Sequence, residues 1–131
     1  KIMPENFAVE IVSPNKLILQ EETEEVTLPC FEGEMGILKN HISIITFLRP
    51  GVITIKKNNK EIKFFVEEGT VEFSNNNLLI LSSTAKNLVD FSKDIIDSII
   101  KSSQEKINQK NVSDKEKYLL SHKIDVLKQM N

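Results

Sequence analysis

The residue types that carry out chemistry in proteins gather in one stretch of this chain, residues 28–51. The stretch contains the only cysteine, Cys30, one of the two histidines, His41, and three of the four glycines. Two glutamates, Glu32 and Glu34, are separated by a single glycine. Such residues serve three kinds of chemistry: attack by a thiolate, acid–base or metal chemistry at a histidine, and phosphate binding by a glycine-rich loop.

The spacing of these residues favours structural roles. A nucleophilic cysteine needs a base that lowers its pKa, and no obvious base neighbours Cys30 in the sequence. A zinc site takes about three protein ligands or more, and His41 has no further ligand at a suitable spacing. Gly33 and Gly36 are not followed by the Gly-Lys-Ser/Thr and helix of a P-loop. We therefore expect His41 to brace a loop, Cys30 to be a partly buried thiol, and the two glycines to permit tight turns.

Glu32 and Glu34 leave two interpretations open. In the first, they join His41 in a small enzyme, which requires a concave pocket around the three residues. In the second, they belong to a polar loop at one end of a rigid β-domain, which is a good docking surface for a partner. In that case the chain is either a general binding module for an unrelated protein or a part of the assembly that the rest of the sequence indicates.

Composition sets broader limits. The chain has 131 residues, 40% hydrophobic and 27% charged, which is typical of one globular domain with or without a small appendage. A net charge of −2 gives no electrostatic footprint for nucleic acid. One cysteine excludes a disulfide framework within the chain. No apolar run approaches the roughly 20 residues of a membrane-spanning helix, and the first residues lack the apolar region of a signal peptide. We expect any membrane association to be peripheral.

Before Ala85 the hydrophobic pattern has a period of two, which predicts strands. Asparagine pairs and Pro-Gly or Ser-Pro turns separate the strands, and residues 29–41 are predicted as an exposed compact loop. Ile42, Ile44 and Ile45 cannot all face one core at this period, which predicts an exposed apolar patch. Many short strands with turns between them favour a β-sandwich or flattened barrel. The predicted strands are 7–12, 16–20, 25–28, 42–48, 52–57, 61–66, 70–73 and 78–81.

After Ala85 the pattern takes the period of amphipathic helices. We predict that a first helix begins near Asn87–Asp90 and that the polar residues 108–112 end it. Ser113 and Glu116 form a capping box before a second helix. A short connection between the two predicts an antiparallel hairpin. The predicted fold is therefore α+β, with a β-sandwich at 1–86 and a helical hairpin at 87–131. The two predicted apolar stripes consist of Val89, Ile96, Ile100 and Ile107, and of Leu120, Ile124 and Leu127.

Three motifs occur in a characteristic order. The stretch at 28–51 matches L-P-G-x-x-G-x-x-G-V-L-P-G-H-x-P followed by an apolar strand that ends in L-x-P-G. The segments FAVEIVSP at 7–14 and EGTVEF…NNLLIL at 68–81 match two further blocks. Together they cover nearly the whole predicted β-domain, and they resemble the epsilon subunit of the rotary F-type ATP synthase, called delta in mitochondria. The matching positions of the first motif are Leu28, Pro29, Gly33, Gly36, Leu38, His41, Leu48, Pro50 and Gly51, with Ile37 as a close substitute.

The resemblance implies a non-catalytic subunit of the central stalk. Such a subunit clamps the gamma subunit to the membrane c-ring, one copy per complex, at the cytoplasmic face of the bacterial inner membrane. One end of the sandwich is implied to meet the c-ring, with Glu34 as the first choice of contact. One face of the sandwich is implied to pack on gamma. The implied ring contacts are Glu32, Gly33, Glu34, Met35 and His41, and the implied gamma contacts are Ser13, Ile42, Ile45 and Thr46.

The sequence departs from the family pattern at several positions. Cys30 and Glu68 replace glycines, Lys39-Asn40 replaces Pro-Gly, and Ser43 replaces a proline. The I/L-D-x-x-R-A segment associated with ATP binding in some members is absent from NLVDFSKDII at 87–96, so no nucleotide, other cofactor or metal is expected. The resemblance also implies that the hairpin can leave the sandwich, contact the catalytic alpha/beta head and inhibit ATP hydrolysis. Lysines available for that contact are Lys115, Lys117, Lys123 and Lys128.

Overall fold

The computed structural model describes residues 5–130, so the first four residues of the predicted sandwich and the last residue of the predicted hairpin lie outside it. The described chain forms two compact units, the first ending at Asn87 and the second beginning at Leu88. The first contains the strands and the second contains a short 3-10 turn, Leu88–Asp90, and two helices, α1 (Lys93–Ile107) and α2 (Asp114–Met130). The strands are β1 (Phe7–Val12), β2 (Leu17–Thr23), β3 (Glu25–Cys30), β4 (Gly33–Leu38), β5 (Ile44–Leu48), β6 (Gly51–Lys57), β7 (Lys60–Val66), β8 (Gly69–Ser74), β9 (Asn77–Leu81) and β10 (Lys86–Asn87).

One continuous path of pairing joins the strands in the order β10-β7-β6-β3-β5-β8-β9-β1-β2, and β4 pairs with β3 beside this path. The path narrows at β3 and β5, which share the single pair Cys30–Leu48. The sheet turns there, so the strands on either side form two layers. Inward residues of both layers alternate with outward ones and build one core, which confirms the predicted sandwich. The core includes Phe7, Val9, Ile11, Val26, Leu28, Ile53, Ile55, Phe64, Val66, Val71, Phe73, Leu78 and Ile80.

Asparagines form the tight turns, as the sequence predicts. Asn58 and Asn59 connect β6 to β7 with φ of 52° and 63°, and Asn75 and Asn76 connect β8 to β9 with φ of 50° and 58°. Two successive residues with positive φ match the right-handed twist of hairpin strands, and asparagine tolerates this conformation better than most residues. Asn40 also takes a left-handed conformation, with φ of 67°.

The prediction of a loop over residues 29–41 is wrong, because this segment contains the β3–β4 hairpin. Residues of β4 alternate, with Met35 and Ile37 towards the core and Glu34 outward. Pro29 lies inside β3, where its carbonyl accepts a hydrogen bond from the backbone N–H of Arg49 at 3.0 Å. Pairing of β3 with β6 ends at Thr27, so Pro29 lies beyond that ladder, where a residue without an N–H is tolerated.

The helical unit differs from the prediction at its start. Ser92 caps α1, its hydroxyl accepting a hydrogen bond from the N–H of Ile95 at 3.2 Å. Asn87 and Asp90 therefore precede the helix. Val89, predicted as part of the first apolar stripe, lies in the 3-10 turn instead and is 85% exposed. The predicted start of the second helix is confirmed, because the hydroxyl of Ser113 accepts a hydrogen bond from the N–H of Glu116 at 3.1 Å.

The end of α1 also follows the prediction, because Ile107 is the last residue of the helix. The two helices pack on each other, as the predicted hairpin requires. Within residues 5–130, neither helix combines the length and apolar character needed to cross a membrane.

The corner between the two layers depends on close approach of Gly51 to Pro29. A Cβ on Gly51 would overlap the Pro29 ring, with Cγ 2.9 Å away. We expect Gly51→Ala to lower the free energy of unfolding by about 1–3 kcal/mol, the usual cost of an overpacked site. Gly36→Ala is the control, because its Cβ would meet only Glu25 Oε2 at 3.8 Å. Urea unfolding of the full chain measures both, and equal midpoints for the two variants would contradict the packing argument.

Candidate docking surface

The turn between β3 and β4 carries the first of the two conspicuous glutamates. Its two residues are Phe31 and Glu32, and Gly33 follows with φ of 126°, a conformation that favours glycine. The hydroxyl of Thr46 on β5 donates a hydrogen bond to Glu32 Oε1 at 3.1 Å. Thr46 is only 6% exposed. Glu32 therefore fastens the turn to β5, and Thr46 faces inward.

Glu34 has a different environment although it is two residues away. It lies on the outer side of β4 and is exposed. Within the part of the chain that the structure covers, its carboxylate has no hydrogen bond or ion pair. Met35, the next residue, is half-buried against the core. Of the residues predicted for the ring contact in this hairpin, Glu34 is thus the one whose charged group is available to a partner.

Cys30 is fully buried beside the same turn. Burial raises the pKa of its thiol, and the Glu32 carboxylate raises it further, while a hydrogen bond with Thr46 and the charge of Arg49 act in the opposite direction. The net pKa lies above the ordinary value of 9.0. The thiol is therefore protonated near neutral pH, which is the opposite of what a nucleophilic cysteine requires.

His41 lies beyond the other end of β4. Its Nδ1 donates a hydrogen bond to the Ile42 carbonyl at 2.7 Å, and its backbone N–H bonds the Leu38 carbonyl at 3.1 Å. Its ring packs edge-to-face on Phe73, with the centroids 5.9 Å apart. The predicted bracing role is therefore present. Asn40 adds to it through two hydrogen bonds with Asn76. The backbone N–H of Asn40 donates to Asn76 Oδ1, and Nδ2 of Asn76 donates to Asn40 Oδ1.

The structure does not assemble Glu32, Glu34 and His41 into a catalytic group. At about 3.3 Å per residue, β4 separates its two ends by roughly 16 Å. Glu32 bonds Thr46 at one end, and His41 packs on Phe73 past the other. Among residues 5–130 there is also no cluster of three or more His, Cys, Asp or Glu side chains that could hold a metal ion.

An exposed apolar face begins on β5. Thr46 and Leu48 point inward, so Ile45 and Phe47 point outward and are 75% and 57% exposed. Ile42, just before the strand, is also 75% exposed. These fractions confirm the predicted apolar patch. Phe47 was not among the predicted contacts, although its position two residues from Ile45 places it on the same face of a strand.

The apolar face continues across the neighbouring strands. Phe47 pairs with Thr70, Thr70 with Leu81, Leu81 with Val12, and Val12 with Leu17. Paired residues share a face of the sheet, so these five form one line across five strands, which we call the apolar row. Its two further large members, Leu81 and Leu17, are 46% and 50% exposed. Only the strand pairing reveals the row, because its members are far apart in the sequence.

Ser13 lies at the end of the apolar row. Its hydroxyl and backbone bond the backbone of Lys16, closing the turn from β1 to β2. It is half-buried and lines a groove that Leu81 also lines. Of the four residues predicted for the gamma contact, three therefore lie outside the core on or near the apolar face, and Thr46 does not.

The four lysines predicted for regulation all lie on α2 but do not share a face. At 100° per residue, Lys117 and Lys128 lie within about 20° of each other around the helix axis. Lys115 and Lys123 lie far from that direction, and Lys123 is half-buried whereas the other three are exposed. A single acidic partner surface can therefore meet Lys117 and Lys128 together but not all four.

Comparison with known proteins assigns the family. A family model described as "ATP synthase, Delta/Epsilon chain, beta-sandwich domain" matches residues 6–88. An ATP synthase epsilon chain of Pelagibacter ubique is 48% identical over 130 residues, which is 98% of this chain and 100% of the relative. The chain belongs to the ATP synthase delta/epsilon family. An ATP synthase epsilon chain of Chelativorans is 45% identical over 53 residues, 40% of this chain and 39% of its own length.

Two solved structures share the fold of this delta/epsilon family member. A chain in the Euglena gracilis mitochondrial ATP synthase, in a structure of OSCP, F1 and c-ring, aligns with a TM-score of 0.76 and 17% identity, covering 98% of this chain and 81% of its own. A chain in the central stalk and c-ring of the Tetrahymena thermophila mitochondrial ATP synthase aligns with a TM-score of 0.63 and 15% identity, covering 98% of each. At these identities the likeness concerns the fold.

Proposed function

We propose that this chain is the epsilon subunit in the central stalk of a rotary ATP synthase. In that role it is non-catalytic and couples the gamma subunit to the c-ring during ion-driven ATP synthesis. The observation that carries the proposal is the 48% identity to an ATP synthase epsilon chain along nearly the whole length of both chains. The bonded positions of Glu32 and His41 favour docking over catalysis, and the subunit is a peripheral component at the cytoplasmic face of the membrane.

The gamma subunit is proposed to cover the apolar face. Ile45 and Phe47 leave most of their surface in water, and burial of apolar surface contributes about 25 cal/mol per Å². Ile42 and Ser13 extend the same contact at its two ends. Thr46 takes no direct part, because its hydroxyl holds Glu32. A general binding module with an unrelated partner uses the same face, so the identity of the partner is what the experiment must decide.

We expect Ile45→Asp to weaken binding of the purified gamma subunit at least tenfold, since a carboxylate without a partner would be buried in the interface. Val89→Asp is the matched control, because Val89 is 85% exposed in the second unit. Calorimetric titration measures both, and thermal melts should match the wild type because both sites are exposed. Wild-type affinity of the Ile45→Asp variant would contradict the gamma assignment, and failure of the wild-type chain to bind gamma would favour the unrelated partner.

The c-ring contact is proposed to centre on Glu34. Its carboxylate is exposed, whereas Glu32 fastens the turn, Gly33 permits it, Met35 faces the core and His41 braces the next turn. Glu32, Gly33 and Met35 shape the end of the sandwich that carries Glu34, whereas His41 lies past the opposite end of β4 and supports the turn there. The roles therefore divide within the predicted set, with one residue for recognition and four for support.

We expect Glu34→Lys to lower ion-driven ATP synthesis by the reconstituted complex several-fold, because a reversed charge opposes contacts selected for a carboxylate. Glu21→Lys makes the same charge change at an exposed position of β2 and should leave the rate unchanged. The ratio of ATP made to ions transported should fall for the first variant only. Equal rates for the two variants would remove Glu34 from the ring contact.

The helical hairpin, residues 87–131, is proposed as a mobile regulatory element that contacts the alpha/beta head in its extended state. Lys117 and Lys128 are the best placed lysines for an acidic surface of the head, because they share a helix face and are exposed. No nucleotide is proposed for the hairpin.

We expect a chain ended after Asn87 to raise ATP hydrolysis by the assembled complex several-fold, because the inhibitory element would be gone. Ending at Asn87 preserves β10, whose pairing with β7 closes the sheet edge. The full-length Lys117→Glu/Lys128→Glu variant should raise hydrolysis as well, and Lys115→Glu should not. An unchanged rate after truncation would end the regulatory proposal.

A further inference from the structure

A groove of about 490 Å³ lies beside the middle of the apolar row, where Thr70, Leu81 and Val12 line it. Val12, Pro14 and Leu81 give it apolar walls. Thr70, the strand partner of Leu81, also lines it. Serines complete the lining. Among residues 5–130, Glu68 is the one charged residue that lines it. The volume falls within the range of binding pockets, but the groove is open to solvent along the outer face of the sheet.

Glu68 is held in position by its own hydrogen bonds. Its Oε1 accepts from the hydroxyl of Ser83 at 2.7 Å and from the N–H of Ser83 at 3.2 Å. Its carbonyl accepts from the hydroxyl of Ser82 at 2.7 Å, and its N–H donates to Thr84 Oγ1 at 3.4 Å. These bonds join the β7–β8 turn to the segment after β9. The carboxylate is therefore ordered before any partner arrives, which lowers the entropy lost on binding.

No bond to Glu68 Oε2 occurs within residues 5–130, and no basic residue lines the groove. The carboxylate thus has a fixed position, one oxygen without a hydrogen bond among the described residues, and no basic residue in the described lining of the groove. A cation of the partner satisfies all three conditions. The apolar walls add a second requirement, since they suit methylene groups rather than a bare ion.

We infer that the groove receives a lysine or arginine side chain of the polypeptide that covers the apolar row, with its methylene stem along Val12 and Leu81 and its cationic group on Glu68. The inference rests on the proposed function for the identity of that polypeptide, the gamma subunit. Continuity supports the choice, because Thr70 and Leu81 belong to both the groove and the row. Phe47 pairs with Thr70, which lines the groove, so a chain that buries Phe47 lies next to the groove.

Glu68 serves as the specificity determinant of the surface. Hydrophobic burial along the row is not directional and discriminates poorly between partners. A fixed carboxylate beside the row penalises a partner that brings no cation, because the charge is then desolvated without compensation. The groove therefore sets the register in which the partner lies along the row.

The experiment measures binding of the full chain to the purified gamma subunit at two salt concentrations. We expect Glu68→Gln to raise the Kd about tenfold at low salt and to reduce its salt dependence, since a charge-assisted contact is lost. Glu61→Gln removes the same charge from an exposed site on β7 and should change neither quantity. The amide oxygen of the Glu68→Gln variant can still accept from Ser83, so unchanged thermal melts are expected. Glu68→Asp keeps the charge with a shorter reach and should fall between the two.

Charge exchange identifies the partner residue. Lysines and arginines of gamma are changed singly to glutamate, and one such variant should lose binding to the wild-type chain and regain it with Glu68→Lys. If Ile45→Asp abolishes binding while Glu68→Gln keeps the wild-type Kd and salt dependence, the groove inference fails and the proposed function stands. If the wild-type chain itself does not bind gamma, both fail. A change in self-association on Glu68→Gln would assign the groove to a second copy of this chain and overturn the inference.

Discussion

The single pair between Cys30 and Leu48 is the constraint on which the sandwich depends. Within residues 5–130 it is the one strand pair that joins the layer containing β3 to the layer containing β5. Two neighbouring backbone bonds secure it, Phe31 N–H to the Phe47 carbonyl and Arg49 N–H to the Pro29 carbonyl. The close approach of Gly51 to Pro29 makes this geometry possible. The positions of Glu32 and of the outer side chains of β5 follow from it. The turn with Glu32 is brought onto β5, and the alternation of β5 sends its outer side chains into solvent.

Two carboxylates in one short segment acquire different roles through this geometry. Glu32 is used internally, because the corner brings it to the hydroxyl of Thr46. Glu34 lies just inside the next strand and points away from the core, so its charge is left for another molecule. Cys30, between the corner and the turn, is kept protonated by burial and by the nearby carboxylate. The concentration of reactive residue types thus coincides with the corner of the sandwich.

Local signals in the sequence predict most of the fold. Asparagine turns, the capping serine of α2 and the period-two pattern identify the strands and the second helix. β4 escapes prediction because its Gly-Glu-Met-Gly start lacks the β-branched residues typical of strands. The first helix start is misplaced because Ser92 competes successfully with Asn87 as a cap. The surface is predicted only where neighbours in sequence suffice: Ile45 is found, whereas the apolar row and the bonds of Glu68 require knowledge of which strands pair.

The parallel pairing of β1 with β9 has a consequence for synthesis of the chain. During translation β1 leaves the ribosome early, together with β2, its antiparallel neighbour. Its parallel partner β9 emerges only after nearly all of the sandwich, so the edge of β1 that β9 pairs with stays open until then. Contacts between such distant parts of a chain form slowly, because loop closure precedes any gain from pairing. The nascent sandwich therefore presents an unpaired strand edge for most of its synthesis, which is the interval in which a chaperone has the most to protect.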